Sequence, residues 1–312
     1  MASTSANTST GGLGIGVRSP VRLAAVPHKE IGVAAALRAA DDADFEVKPA
    51  IFDEFKLTNK VGVVTGGNGG LGLEMCVTLA ELGAKVYAID IHASPSSDFK
   101  AASAFATRLG TSLQYRTANV TNQGEIGQVI EQIADENDGK IDVVIAAAGV
   151  LGREHNVEEY PAEEFKAVID VNCNGVFYTT QAAARQMKQA RSGGSIILIA
   201  SMSGTVTNRD MKWAPYNTSK AAVIQMARSM ACELGPDRIR VNSLSPGHIR
   251  TKMTAAVLDK QPETEAFWAS LNPLGRIGAV HELRGVIAWL ASDASSFCTG
   301  SDIIVSGGHT IW

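Results

Sequence analysis

Tyr216 and Lys220 stand four residues apart in Tyr216-Asn217-Thr218-Ser219-Lys220, a spacing that puts a phenol and an ammonium on one face of a helix. A phenol can give and take a proton, but its ordinary pKa near 10 makes it a poor base at neutral pH. Positive charge beside it favours the phenolate, and each unit of lowering needs ~1.4 kcal/mol of such preference. Lys220 is a charge of that kind. An ordinary amphipathic helix with Lys220 in solvent would show the same pair, so position has to add the weight. The pair follows an apolar run that ends in Ala200-Ser201-Met202-Ser203-Gly204, where a serine hydroxyl could share a reacting oxygen with Tyr216.

A second segment with chemistry in it is Thr65-Gly66-Gly67-Asn68-Gly69-Gly70-Leu71-Gly72. It lies between a β-branched run and a helical stretch. In that context a glycine-rich turn admits a pyrophosphate to the backbone N–H groups of a helix N-terminus, from which a Cβ would exclude it. Gly66, Asn68, Gly70, Leu71 and Gly72 are the expected contacts. Asp90 closes the next apolar run, eighteen residues beyond Gly72. Its carboxylate can accept from ribose hydroxyls and repel a 2′-phosphate, which favours NAD over NADP; the rival reading is a loop cap. His92 is the nearby potential cation, and an imidazole is mostly neutral near pH 7. A bound oxidised nicotinamide would add its charge to that of Lys220 at the phenol.

The elements that must position these groups alternate. Val61–Thr65, Lys85–Asp90, Leu113–Ala118, Ile141–Ala147, Ser195–Ala200, Arg240–Leu244 and Asp302–Val305 read as strands, bounded by Gly, Asn or Asp. Leu71–Leu82, Ala162–Arg191, Tyr216–Leu234 and His281–Ala291 have helical apolar spacing. Such alternation predicts an α/β fold: a doubly wound parallel seven-stranded sheet of Rossmann type, in one domain. That domain is expected over 51–312, behind a flexible extension, 1–50, in which Ile31–Ala40 could form a short helix. Residues 1–29 carry Arg18, Arg22 and Lys29 with no Asp or Glu, and seven Ser/Thr before residue 20. This resembles a mitochondrial transit peptide, the alternative to a plain tail in a cytoplasmic protein.

Several motifs in one order resemble the short-chain dehydrogenase/reductase family over about Phe55 to Trp312: the glycine turn, Ala146-Ala147-Ala148-Gly149, Asn172, Ser201, Tyr216-x-x-x-Lys220, and Pro246-Gly247 followed by Thr251. The resemblance implies that Tyr216 is the general acid/base and that Lys220 binds the nicotinamide ribose and lowers the phenol pKa. It implies that Ser201 polarises the reacting carbonyl or alcohol and that Asn172 holds a proton-relaying water. Asn119, Val120, Ala148, Gly149, Pro246, Gly247, Ile249 and Thr251 join the cofactor contacts, with Thr251 anchoring the carboxamide. Ser203 competes with Ser201, and Asn174 more weakly with Asn172. Four positions depart from the family pattern: Ala146 and Ala147 replace asparagines, Asn119 an aspartate and Ser306 an aspartate. Two long helices, Ala162–Arg191 and Tyr216–Leu234, commonly pair between subunits in the family, so a homotetramer or homodimer is expected.

The implied substrate is a small-molecule secondary alcohol or ketone. Arg153, His155, Asn208, Arg209, Lys252 and Asn272 beside Met202, Trp213 and Trp268 lie in the variable segments that would recognise it; Arg153, His155, Ser201, Ser203 and Trp213 are the expected substrate contacts. The flavour of the sequence resembles fungal polyol and ketose members, such as arabinitol dehydrogenases and sorbose reductases. The alternatives are a ketoreductase of secondary metabolism with a bulkier apolar substrate against Trp213 and Trp268, and a non-catalytic dinucleotide-binding redox sensor. With 28 Lys+Arg against 32 Asp+Glu the net charge is −4, which argues against nucleic acid or an anionic membrane as partner. The longest apolar run, Val143 to Leu151, is too short to span a bilayer. No metal-ligand spacing appears, and Cys76, Cys173, Cys232 and Cys298 are expected to be buried reduced thiols.

Overall fold

A computed structural model describes residues 30–251, 254–255, 258–259 and 262–312. The acid-poor stretch 1–29 and Lys252 lie outside the described residues. The seven expected strands form one sheet: β1 (Val61–Thr65), β2 (Lys85–Asp90), β3 (Ser112–Thr117), β4 (Val143–Ala146), β5 (Gly194–Ile199), β6 (Ile239–Pro246) and β9 (Asp302–Val305). Their order is β3-β2-β1-β4-β5-β6-β9, parallel throughout. Between β6 and β9 a two-residue pair, β7 (Ile249–Arg250) with β8 (Gly278–Ala279), forms a separate parallel sheet.

The sheet is apolar on both faces because helices cover both. β1 and β4 are buried at every residue. One face packs Val63, Val144, Ile196 and Val241 with α4 (Gln123–Asp135), α6 (Gly175–Ala190) and α7 (Ala214–Leu234). The other packs Val64, Ile145, Ile197 and Leu244 with α2 (Gly70–Glu81) and α9 (Arg284–Ala291). Arg284 pins α9 to α2 through Glu74 and Glu81. Ahead of the sheet, α1 (Val33–Asp41) is a short helix with no buried residue, in line with the expectation over Ile31–Ala40.

Two helical expectations change. Ala162–Arg191 is not one regular helix: α5 (Ala162–Ile169) passes through a π-helical turn, Asp170–Asn174, into α6. His281–Ala291 opens as a 3₁₀ turn, Val280–Leu283, before α9. Two further crossover helices, α3 (Ser97–Arg108) and α4, start at side-chain caps: Ser96 accepts from Phe99 N, and Asn122 accepts from Gly124 N and Glu125 N. α8 (Pro262–Ser270) follows β7. All four cysteines are free, but only Cys76 is buried and Cys232 is exposed, because Cys232 falls on the outer side of α7.

Candidate active site

The strand order reverses between β1 and β4, and ligands of open parallel sheets bind at the carboxyl ends beside such a switch. β1 runs there into the glycine turn. Its glycines divide into two kinds. A Cβ on Gly67 would stand 2.6 Å from the Ala88 Cβ, and one on Gly72 2.2 Å from the Gly66 carbonyl oxygen, so these positions serve close packing within the protein. Gly69 and Gly70 face open space, and Gly70 has φ +54°. The backbone ladder of α2 opens with Leu73 N to Gly69 O at 3.1 Å, and the Gly69 N-cap has no side-chain capping bond. The N–H groups of Gly70, Leu71 and Gly72 therefore point past the end of the helix beside an unobstructed surface, as an anion requires. Gly69 was not among the expected contacts; its place in the glycine run was the available signal. The Leu71 side chain packs toward Val280, Leu283 and Ile287, which leaves its backbone for a ligand.

Asn68 organises the neighbouring loop. Its N–H donates to Asp90 Oδ2 (3.2 Å), its Oδ1 accepts from Ser96 N (2.7 Å), and its carbonyl accepts from Ser96 Oγ (2.8 Å). Asp90 thus closes β2 facing the turn. Asn119 Oδ1 accepts from Thr121 N (3.0 Å) and Oγ1 (2.9 Å), while the Val120 side chain lies against Gly175. Ala148 N donates to Thr65 Oγ1 (3.3 Å), tying the ends of β1 and β4 where Ala146-Ala147 replace the family's amides.

The residues expected to move the proton converge at the ends of β4 and β5. Ser201 follows β5 and caps the 3₁₀ turn Met202–Gly204, accepting from Ser203 N at 3.1 Å. α7 starts behind Trp213 with Pro215 in its first turn, and it brings Tyr216 against Ser201 and Lys220 underneath. Lys220 is 4% exposed, donates from Nζ to the Ile199 carbonyl (2.8 Å), and lies 5.6 Å from the centroid of the Tyr216 ring. Burial pushes its ammonium down to about 8. Burial also pushes the Tyr216 phenol up, and the hydrogen bond with the Ser201 side chain pulls the other way. Against the expected lowering by Lys220, the phenol stands above its ordinary range, because removal of the phenolate from water outweighs the Ser201 bond. Ser203 Oγ accepts from Asn208 Nδ2 (2.8 Å).

The π turn makes room for Asn172, which is fully buried. Wide turns of this kind re-aim one side chain within a helix. Asn172 Oδ1 accepts from Val150 N (2.8 Å), and its Nδ2 donates to Val150 O (2.8 Å) and Ser219 Oγ (3.0 Å), which in turn donates to Tyr216 O (2.7 Å). A Cβ on Gly149 would come within 3.3 Å of Asn172 Oδ1 and 3.5 Å of Lys220 Nζ. Asn172, Gly149, Ser219 and Lys220 are therefore one cluster, to which sequence reasoning had not assigned Ser219. Asn174 bonds instead to Asp170 (3.0 Å).

On the far side, Gly247 lets β6 approach Ser306: a Cβ there would stand 2.6 Å from the Ser306 Cα. Ile249 packs on Gly278. Thr251 and Thr254 exchange bonds, Thr251 N to Thr254 Oγ1 (2.7 Å) and Thr254 N to Thr251 Oγ1 (3.2 Å). His248 stacks on Trp268 at 4.3 Å, and burial pushes it down to about 4. The Trp213 ring meets Tyr216 edge-on at 6.3 Å. Arg153 and His155 turn instead to Glu164, and the His155 ring packs on Tyr160.

A dinucleotide-binding parallel sheet with a serine–tyrosine–lysine cluster at its open edge defines a nicotinamide-dependent class of enzyme. Residues 66–310 match the family model described as enoyl-(acyl carrier protein) reductase. Similar proteins include the sorbose reductase of Schizosaccharomyces pombe, 36% identical over 82% of this chain and 97% of its own length. The D-arabinitol 2-dehydrogenase (ribulose-forming) of Candida tropicalis is 36% identical over 84% and 96%. An NADP-dependent mannitol dehydrogenase of Hypocrea jecorina is 36% identical over 83% and 96%. A short-chain dehydrogenase/reductase from Mycobacterium marinum superposes with a TM-score of 0.77 at 37% identity, covering 84% of this chain and all (100%) of that one. The chain belongs to the short-chain dehydrogenase/reductase family, whose members use NAD(P), and is an oxidoreductase acting on CH–OH groups.

Proposed function

We propose that the chain interconverts a secondary alcohol and its ketone in a polyol/ketose pair, with Tyr216 as general acid/base and NAD preferred over NADP. The observation that carries this reading is the half-buried Tyr216, its phenol hydrogen-bonded to Ser201 above the Lys220 ammonium. A nicotinamide dinucleotide, when bound, supplies the hydride acceptor or donor. In oxidation Tyr216 takes the proton of the substrate hydroxyl; in reduction it returns one to the carbonyl oxygen. Ser201, fixed by Ser203 N, orients that oxygen. Lys220, held by the Ile199 carbonyl, contributes charge beneath the phenol and reaches the nicotinamide ribose. Asn172 fixes the Val150 backbone and, through Ser219, the first turn of α7. The N–H groups of Gly70, Leu71 and Gly72 would hold the pyrophosphate and Asp90 the adenosine ribose, and Pro246-Gly247, Ile249 and Thr251 would hold the nicotinamide end.

The names of the sorbose and arabinitol relatives support a sugar-class substrate. So does the buried polar pair Ser203–Asn208 next to Ser201, which suits a hydroxylated compound better than an apolar one. The test is a panel of C4–C6 polyols, ketoses and bulky cyclic ketones followed by nicotinamide absorbance. Turnover confined to polyols and ketoses supports the reading, and turnover confined to cyclic ketones overturns its substrate class.

A further inference from the structure

The helix that carries Trp268 is fastened to the body by discrete contacts and not by a buried face. No described residue of α8 is fully buried. The Trp268 ring stacks on His248 at 4.3 Å, the planes 10° apart, and Arg250 bonds Glu265. Burial keeps the His248 imidazole neutral at pH 7, so the stack is a packing contact without charge. His248 follows Gly247, and its carbonyl accepts from Gly278 N (2.8 Å). The two stacked rings therefore stand next to the Pro246-Gly247 turn.

Behind α8, residues 271–275 are gripped by the segment that follows β9. Leu274 N donates to Gly307 O (3.2 Å) and Trp312 Nε1 to Leu271 O (3.1 Å). Gly308 lies close on Pro273, where a Cβ would stand 2.7 Å from the ring Cγ. His309 Nδ1 is 3.0 Å from Asn272 Oδ1. Asn272 Nδ2 donates to Arg276 O (2.8 Å), which leaves Oδ1 as the acceptor and puts the hydrogen on Nδ1 of His309. Asn272 is 4% exposed, so losing that donor would strand a buried acceptor. The His309 ring also meets His248 edge-on at 5.3 Å. One side chain thus touches both the turn behind Trp268 and the imidazole on which Trp268 stacks.

We propose that His309, assisted by Trp312, is a positioning residue for the substrate: by holding Asn272 and the edge of His248 it fixes the Trp268–His248 stack as one wall of the substrate pocket. This rests on the reading that Pro246-Gly247 hold the nicotinamide end, beside which the substrate must lie. His309 acts through Asn272 and His248 and not on the reacting atoms. Tyr216 and Lys220 are carried by α7, and Ser201 by the end of β5, so their geometry does not depend on α8. A loosened α8 should therefore weaken the hold on the substrate and leave the proton transfer as it is, which reads as a higher KM with kcat nearly kept.

The test uses the full chain with three substitutions. His309→Phe keeps a ring against His248 and removes the donor to Asn272; His309→Gln keeps a donor; Trp312→Phe removes the indole N–H. Hydrogen exchange of the α8 amides, with α2 as internal reference, is read beside steady-state rates with D-arabinitol and sorbose. His309→Phe should speed α8 exchange by about 3- to 10-fold, the equivalent of one hydrogen bond, with α2 unchanged. The KM of the sugar that turns over should rise by a similar ~3- to 10-fold while kcat stays within about twofold, and His309→Gln should restore most of both. Trp312→Phe should act in the same direction but more weakly, because its bond is exposed. Unchanged α8 exchange in His309→Phe overturns the attachment. Faster exchange with an unchanged KM, or a fall in kcat alone, overturns the positioning role. If neither sugar turns over while a cyclic ketone does, the polyol/ketose reading fails by itself, and the same split is read with that ketone.

Discussion

At the level of single residues, the site sets a phenol and an ammonium that burial drives toward their neutral forms against the polar partners that hold them. Lys220 stands at about 8 and the phenol is pushed up. The base form of Tyr216 therefore gains population only on the alkaline side. A group raised above its ordinary value near 10 stays protonated from neutrality to well past pH 9, so reduction, which needs the proton on Tyr216, is expected to hold its rate from pH 7 to 9. Oxidation should rise over the same range; kcat profiles in both directions check this, and an oxidation rate that falls from pH 7 to 9 contradicts it. The two serines separate by their partners. Ser201→Ala removes the hydroxyl bonded to the phenol and should cost on the order of 10²-fold in kcat, within the range for a group acting on a reacting proton. Ser203→Ala should cost far less, since that hydroxyl bonds Asn208 while the phenol bonds Ser201. The sequence alone left this choice open because both serines flank one turn; only the Asn208 contact, which spans loop residues without periodicity, separates them.

At the level of elements, regular burial was legible and local irregularity was not. β1 and β2 fall where their β-branched runs predict, because a strand covered on both faces is apolar throughout; β9 does so too, although as the edge strand it leaves Ile304 exposed. The π turn at Asp170–Asn174 could not be read, since the apolar spacing continues across it and the extra residue shows only in how Asn172 is aimed. β7 and β8, two residues each, carry no period at all. The turn makes Asn172 a joint between elements. Asn172→Ala would strand the Val150 N–H and C=O together with Ser219 Oγ, at a cost on the order of 2–4 kcal/mol. Denaturant unfolding should show that loss, and a change below ~0.5 kcal/mol would mean that these bonds hold nothing. In the glycine turn Gly72→Ala should disrupt folding, because its Cβ would meet the Gly66 carbonyl at 2.2 Å. Gly70→Ala meets open space and should cost only about 1–2 kcal/mol for its left-handed backbone.

For the molecule as a whole, the seven-stranded sheet and its two helical layers place every proposed catalytic group at one edge, and the order of the motifs was enough to anticipate that arrangement. Thiol exposure was harder to read: all four cysteines lie in or near apolar segments, yet only Cys76 sits beneath the sheet-facing side of its helix. Its thiol is pushed up by burial, so a thiol reagent should modify Cys232 in the native protein and reach Cys76 only as fast as the fold opens. Mass spectrometry of partly labelled protein checks this, and early labelling of Cys76 would contradict the core described here. The central claim is that one phenol moves the proton. Tyr216→Phe keeps the ring and its packing and removes only the hydroxyl; dinucleotide binding and turnover measured on the same preparation test the claim directly. Binding should be unchanged and turnover should fall by roughly 10²–10⁴-fold, whereas turnover within a few-fold of the parent would place the proton transfer elsewhere.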